Sequence, residues 1–126
     1  MAGPLPLLAI VELGGYPNFS GLYRRCGYEP EMVATQRKAL AALKRGLPRV
    51  VVAEYNWQYD FRDRSSNLET LMARLQPHPE VRVILFHLPE HGGRLAQFRR
   101  RFRVFEALPL PLDEARLEAA LRRALI

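Results

Sequence analysis

Val50, Val51, Val52 and Ala53 form an uninterrupted apolar run that ends on a lone carboxylate, Glu54. Three β-branched residues in succession suit a strand covered on both faces, the ordinary setting of a central parallel strand. Ligands and chemistry in open α/β sheets lie beyond the carboxyl ends of the strands, and Glu54 stands at that end of this one.

Comparable runs recur along the chain, separated by stretches of helical periodicity. Residues 7–11 predict a first strand ending at Glu12. Turn chemistry at Gly14, Gly15, Tyr16, Pro17 and Asn18 follows, then a short helix over 18–26 with Gly27 as its C-cap. Residues 31–34 predict a short edge strand. Thr35 can cap a helix over 36–45 that places Ala39, Leu40, Leu43 and Leu47 on one face, and Gly46 can end it in the left-handed conformation. The anchor strand comes next, and a polar, aromatic loop runs from Tyr55 to Arg64. Ser66, Asn67, Leu68 and Glu69 offer a capping box for a helix striped by Leu68, Leu71, Met72 and Leu75. Residues 81–86 predict a strand ending at His87. Gly92 and Gly93 precede a helix with Leu95, Phe98 and Phe102 on one side, residues 103–108 predict a final strand, and Asp113 can cap a last helix carrying Leu117, Leu121, Ala124 and Leu125. This alternation implies right-handed crossovers and a three-layer α/β domain. The expected fold is flavodoxin-like and doubly wound, with five parallel strands in the order 2-1-3-4-5.

A length of 126 residues fits one domain spanning residues 1–126. Nineteen basic residues against thirteen acidic ones give a formal charge of +6, which favours acidic partners: nucleic acid, an anionic surface or an acidic protein face. On charge alone, a simply solvated surplus is the stronger reading. Cys26 has no second cysteine to pair with and fits a reducing cytoplasm. The start of the sequence lacks a basic segment before its apolar run and does not resemble a signal peptide. No run approaches the ~18 apolar residues of a membrane span, so a cytoplasmic location without membrane contact is expected. The sequence has no GxSxG elbow, no zinc-ligand spacing and no P-loop or GxGxxG. A non-enzymatic protein without cofactor is therefore expected.

The stretch from Gly27, Tyr28 and Glu29 through residues 36–43 to Leu47, Pro48 and residues 50–54 resembles the second strand, second helix and third strand of response-regulator receiver (CheY-like) domains. Pro111, Leu112 and Asp113, followed by residues 117–125, resemble their closing segment. The resemblance covers most of the chain, but the signature residues of the family are mostly replaced. A receiver carries an acidic pair after its first strand to hold Mg²⁺; here Glu12 is followed by Leu13. The aspartate that accepts the phosphoryl group is matched by Glu54, the Ser or Thr ending the fourth strand by His87, and the lysine before proline by Leu110. Mg²⁺ needs several oxygen ligands in tight geometry, and phosphoryl transfer needs the metal and a cation. The resemblance thus implies a degenerate pseudo-receiver that is not phosphorylated in the usual aspartate-dependent way, acting as a protein–protein interaction module in bacterial signalling.

Glu54 has three readings: a mimic of a phosphorylated aspartate, a carboxylate paired with Arg62 or Arg64, or, least favoured, a covalent acceptor. Glu12, Glu54 and His87 end adjacent strands in the expected order and could in principle bind a divalent metal; a hydrogen-bonded polar pocket is the plainer reading, and no metal is expected. Gly14 and Gly15 could cradle a phosphate, though a plain turn is favoured. Tyr55, Trp57, Tyr59 and Phe61 make the following loop unusually aromatic. Arg94, Arg99, Arg100, Arg101 and Arg103 form the sharpest basic feature, with Arg100 opposite the apolar stripe. A solvated face is the plain reading. In receiver-like domains the last helices and strand form the usual partner and dimer surface, which points these arginines at an acidic protein or a homodimer. Nucleic acid or phosphate is the less favoured partner, because no recognition module accompanies them.

Overall fold

The apolar runs form a five-stranded parallel sheet in the order β2-β1-β3-β4-β5 in the computed structural model, which describes residues 3–56 and 68–126. In chain order the elements are β1 (Leu5–Ile10), α1 (Ser20–Arg25), β2 (Tyr28–Val33), α2 (Gln36–Arg45), β3 (Val50–Tyr55), α3 (Glu69–Leu75), β4 (Arg82–His87), α4 (Gly92–Arg101), β5 (Glu106–Pro109) and α5 (Glu114–Arg123). A 3₁₀ turn, Pro89–His91, leads into α4. The expected flavodoxin-like fold and strand order are both found.

Strand alternation divides the core in two. Val51, Ala53 and Tyr55 of β3 join Val83 and Leu85 of β4 and the buried faces of α2, α3 and α4. Val50 and Val52, with Ile84 and Phe86, join α1 and α5 on the opposite face, where Leu117, Ala120 and Leu121 are fully buried. Every residue of β3 is buried, as a strand sandwiched between helical layers requires. The carboxylate of Glu54 is thereby committed to the interior.

Local chemistry explains most boundaries. Thr35 accepts from the Lys38 amide at the start of α2, and Asp113 accepts from the Ala115 and Arg116 amides at the start of α5. Gly27, at φ 96°, turns the chain from α1 into β2. Tyr28 Oη donates to the Leu121 carbonyl at 2.7 Å, tying the edge strand to the last helix.

Several boundaries differ from the expected ones. Gly46 is extended (φ 163°) rather than left-handed, so α2 ends without that cap. The edge strand is longer than residues 31–34 because Pro30 is tolerated on an edge, and all six residues of β2 pair with β1. The first helix begins at Ser20, with Asn18 Oδ1 accepting from the Ser20 amide just before it. Gly92 and Gly93 belong to the first turn of α4 rather than preceding it. The final strand is shorter than residues 103–108: residues 102–104 carry the chain from the end of α4 back to the sheet, the Phe105 amide donates to the Val83 carbonyl of β4 at 2.8 Å, and the strand itself begins at Glu106. Tyr55 belongs to β3 and packs edge-on against Phe98 at 5.2 Å, so it is core rather than loop. The rest of the aromatic stretch from Trp57, together with Arg62, Arg64 and the capping residues Ser66 and Asn67, lies outside the described residues. Among the described residues no helix is long and apolar enough to cross a membrane.

Candidate functional site

Glu54 is 3 % exposed, the one buried charged side chain among the described residues. Period two along β3 turns it to the same face as Val50 and Val52, beneath the loop that joins β1 to α1. There it accepts the backbone N–H of Glu12 at 3.1 Å and of Gly14 at 3.2 Å on Oε2, and that of Leu13 at 2.9 Å on Oε1. Tyr16 Oη donates a fourth bond to Oε2 at 2.5 Å. Gly14 and Gly15 both take positive φ, 70° and 85°, a conformation glycine adopts without penalty. The loop so bent aims three successive N–H groups at one point, an anion-binding nest. The two glycines therefore do help cradle an anion, but that anion is the chain's own Glu54 carboxylate.

The remaining strand-end residues do not complete a metal or phosphoryl site. Glu12 meets Glu54 through its backbone amide, while its carboxylate accepts from Gln36 Nε2 at 2.9 Å on α2. Leu13, at the place of a second acid, donates its amide to Glu54 and leaves its side chain 77 % exposed. His87 is half-buried at the end of β4, and its Nδ1 lies 3.0 Å from the Leu88 carbonyl, an acceptor, which places the proton on Nδ1. Leu110 is half-buried against the α1/α5 side of the core, donates its amide to the His87 carbonyl, and precedes Pro111 through a cis peptide bond. Leu110 thus brings an aliphatic side chain, and no cation, to the end of β5.

Among the described residues no three His, Cys, Asp or Glu side chains converge as a metal would need. The metal alternative at Glu12, Glu54 and His87 is therefore corrected. Glu54 faces hydrogen-bond donors, whose positive ends disfavour a cation, and Glu12 turns its carboxylate toward α2. Mg²⁺ does not fit this donor set.

Tyr16 is the residue the sequence concealed. It reads as turn chemistry, yet its ring packs edge-on to Phe86 at 5.1 Å while its hydroxyl holds Glu54. Burial, and then the hydrogen bond to Glu54, push its phenol well above the usual tyrosine range. The available signal was an aromatic with a polar tip directly after two glycines, at the end of a strand beside the one ending in Glu54.

The basic helix lies on a separate surface. Leu95 and Phe98 are buried, and Arg94, Arg99, Arg100, Arg101 and Arg103 are exposed. Arg101 reaches Glu69 of α3 at 3.5 Å and lies over the Phe102 ring at 4.9 Å. Arg99, Arg100 and Arg103 make no ion pair with any described residue.

The fold is shared with receiver domains of known structure. The response regulator receiver domain protein of Clostridium thermocellum is 18 % identical and superposes with a TM-score of 0.74, over 96 % of this chain and 94 % of that one. The chemotaxis response regulator CheY4 of Vibrio cholerae is 18 % identical at a TM-score of 0.70, over 96 % and 98 % of the two chains. NtrX from Brucella abortus is 22 % identical at a TM-score of 0.75; the match covers 97 % of this chain but 27 % of NtrX. No family model matches the sequence, and no curated protein matches it. At these identities the likeness establishes the receiver fold and leaves the activity to the residues of the site.

Proposed function

We propose that this chain is a pseudo-receiver: a non-catalytic protein–protein interaction module of bacterial signalling whose acceptor position is occupied rather than switched. The observation that carries the reading is the cradle around Glu54. In a receiver fold the carboxylate at the end of β3 must be free to attack a phosphorus atom beside a metal. Here both carboxylate oxygens are engaged by the β1–α1 loop, and the place of the assisting lysine is taken by Leu110. The loop is held in one arrangement without an added phosphoryl group. The exposed arginines of α4 and of the segment that leads from it to β5 are the working surface, and their charge selects an acidic protein partner. A homodimer through these last elements is the variant of the same reading.

Two measurements test it. Incubation with Mg²⁺ and acetyl phosphate, followed by intact mass spectrometry, leaves the mass unchanged; a stoichiometric gain of one phosphoryl group mapped to Glu54 overturns the reading. Capture from nuclease-treated bacterial lysate with wild type, but not with Arg99→Glu, Arg100→Glu and Arg103→Glu combined, identifies the protein partner. Bound material that disappears with nuclease instead moves the arginine face to nucleic acid.

A further inference from the structure

An open cavity of about 380 Å³ lies between the β1–α1 loop, the start of α1 and the end of the edge strand β2. That size falls in the range of small-molecule sites. Tyr16, Phe19 and Tyr23 line it together with Met32 and Val33, and its lining carries no acid, base or histidine. Tyr16 and Phe19 stack nearly parallel, with centroids 6.3 Å apart, and Phe19 and Tyr23 meet at 6.5 Å. The rings form an apolar wall suited to a flat ligand.

Tyr23 supplies a polar group, beside Asn18 at the same cavity. Its side chain is 2 % exposed and borders the cavity. Its hydroxyl has no hydrogen-bond partner among the described residues, whereas the hydroxyls of Tyr16 and Tyr28 each have one. Nor is it sealed in: among the described residues the one buried polar side-chain atom with neither partner nor solvent access is His91 Nδ1. A nearly buried hydroxyl without a partner is unfavourable, and a bound acceptor removes that penalty. Burial also raises the Tyr23 phenol far above its ordinary range, which keeps it a donor at neutral pH.

We propose that this cavity is a binding site for a small, flat, uncharged molecule carrying a carbonyl-type acceptor. Its apolar body lies against Tyr16, Phe19 and Met32, and its acceptor takes the hydrogen bond of Tyr23 Oη. The absence of charge in the lining selects a neutral ligand, because an ionic one would lose its hydration without a counter-charge. Tyr16 borders the cavity and also holds Glu54, so the site and the cradle share one residue. The site does not depend on the arginine face, and neither test of the interaction reading bears on it.

The test titrates the isotope-labelled full chain with coumarin, a neutral bicyclic lactone, and follows amide chemical shifts. Saturable shifts are expected at residues 16–23 and 32–34. Met32→Trp, which fills the cavity from a side chain already 41 % exposed, abolishes them. Tyr23→Phe weakens binding about fivefold, the loss of one neutral hydrogen bond. The carboxylate derivative of coumarin binds about tenfold more weakly or not at all. No saturable shift, shifts centred elsewhere, or binding indifferent to Tyr23→Phe overturns the proposal.

Discussion

Tyr16 Oη and Glu54 Oε2 lie 2.5 Å apart, joining the loop after β1 to the end of β3 across 38 positions of sequence. The bond closes a cradle in which three backbone amides already face the same carboxylate. Hydrogen bonds to a buried charge are individually strong, and the donors left behind when it is removed are costly. Glu54→Gln removes the charge and places an amide NH₂ against at least one backbone N–H, which can only donate. The expected loss is about 2–4 kcal/mol of unfolding free energy, seen as a lower urea midpoint with an unchanged slope. A loss below about 0.5 kcal/mol, the range of an ordinary surface substitution, contradicts a cradle that holds the loop.

Tyr16→Phe separates the hydroxyl from the ring. The contacts with Phe86 and Phe19 survive, and the three amides keep their carboxylate. The expected cost is smaller, about 1–2 kcal/mol. Combined with Glu54→Gln, the two losses should fall short of additivity by more than about 0.5 kcal/mol, because both substitutions break the same bond. Additive losses in the double-mutant cycle remove Tyr16 from the cradle.

Alkaline pH probes the other face of the fold. Tyr28 is buried and donates to the Leu121 carbonyl, and burial pushes its phenol up to about 12, against a smaller lowering by Arg49. The folded value lies above the unfolded one, near 10. The stability linked to Tyr28 is therefore fully present below pH ~10 and is lost as pH rises through about 12. Tyr16, Tyr23 and Tyr55 shift in the same direction through burial. Burial also raises the Cys26 thiol, so stability should begin to decline above the ordinary thiol range and fall steeply above about 10, with absorbance of the buried phenolates appearing together with unfolding. The sequence has five tyrosines, and Tyr59 lies outside the described residues, so phenolate absorbance from more than one tyrosine near pH 10 in the folded protein contradicts this burial.

The sheet order was legible because each apolar run is bounded by its own turn residues, and the anchor run from Val50 to Ala53 can only be central. The layering followed from helical stripes such as Leu117, Leu121 and Ala124. The cradle was not legible, because its donors are backbone amides. Glu12, Leu13 and Gly14 carry nothing in their side chains that announces three converging N–H groups. The less favoured metal alternative at Glu12, Glu54 and His87 rested on strand ends, which fix where a backbone stops and not where a carboxylate turns. The arginines of α4 were legible as a face, but the commitment of Arg101 to Glu69 depends on how α3 sits beside α4. The start of β5 lies later than expected because Arg103 and Val104 serve the return from α4, although Val104 has the composition of a strand residue.

The last prediction concerns that face. Arg99, Arg100 and Arg103 are exposed and form no ion pair with a described residue, so reversing all three should leave the unfolding free energy within about 0.5 kcal/mol of wild type. Partner binding should nevertheless be lost, since complementary charge becomes repulsion. Salt separates the classes of partner. Contacts with phosphates release counterions, and three such contacts on duplex DNA contribute a slope of about −2.7 in log affinity against log salt. An acidic protein surface has no condensed counterion layer of that density, and its binding weakens through ordinary screening over a Debye length of about 8 Å at physiological salt. A shallow salt dependence that the triple reversal abolishes together with binding supports the acidic protein partner. A steep linear slope, reduced by about 0.9 for each arginine replaced singly, assigns the face to nucleic acid instead.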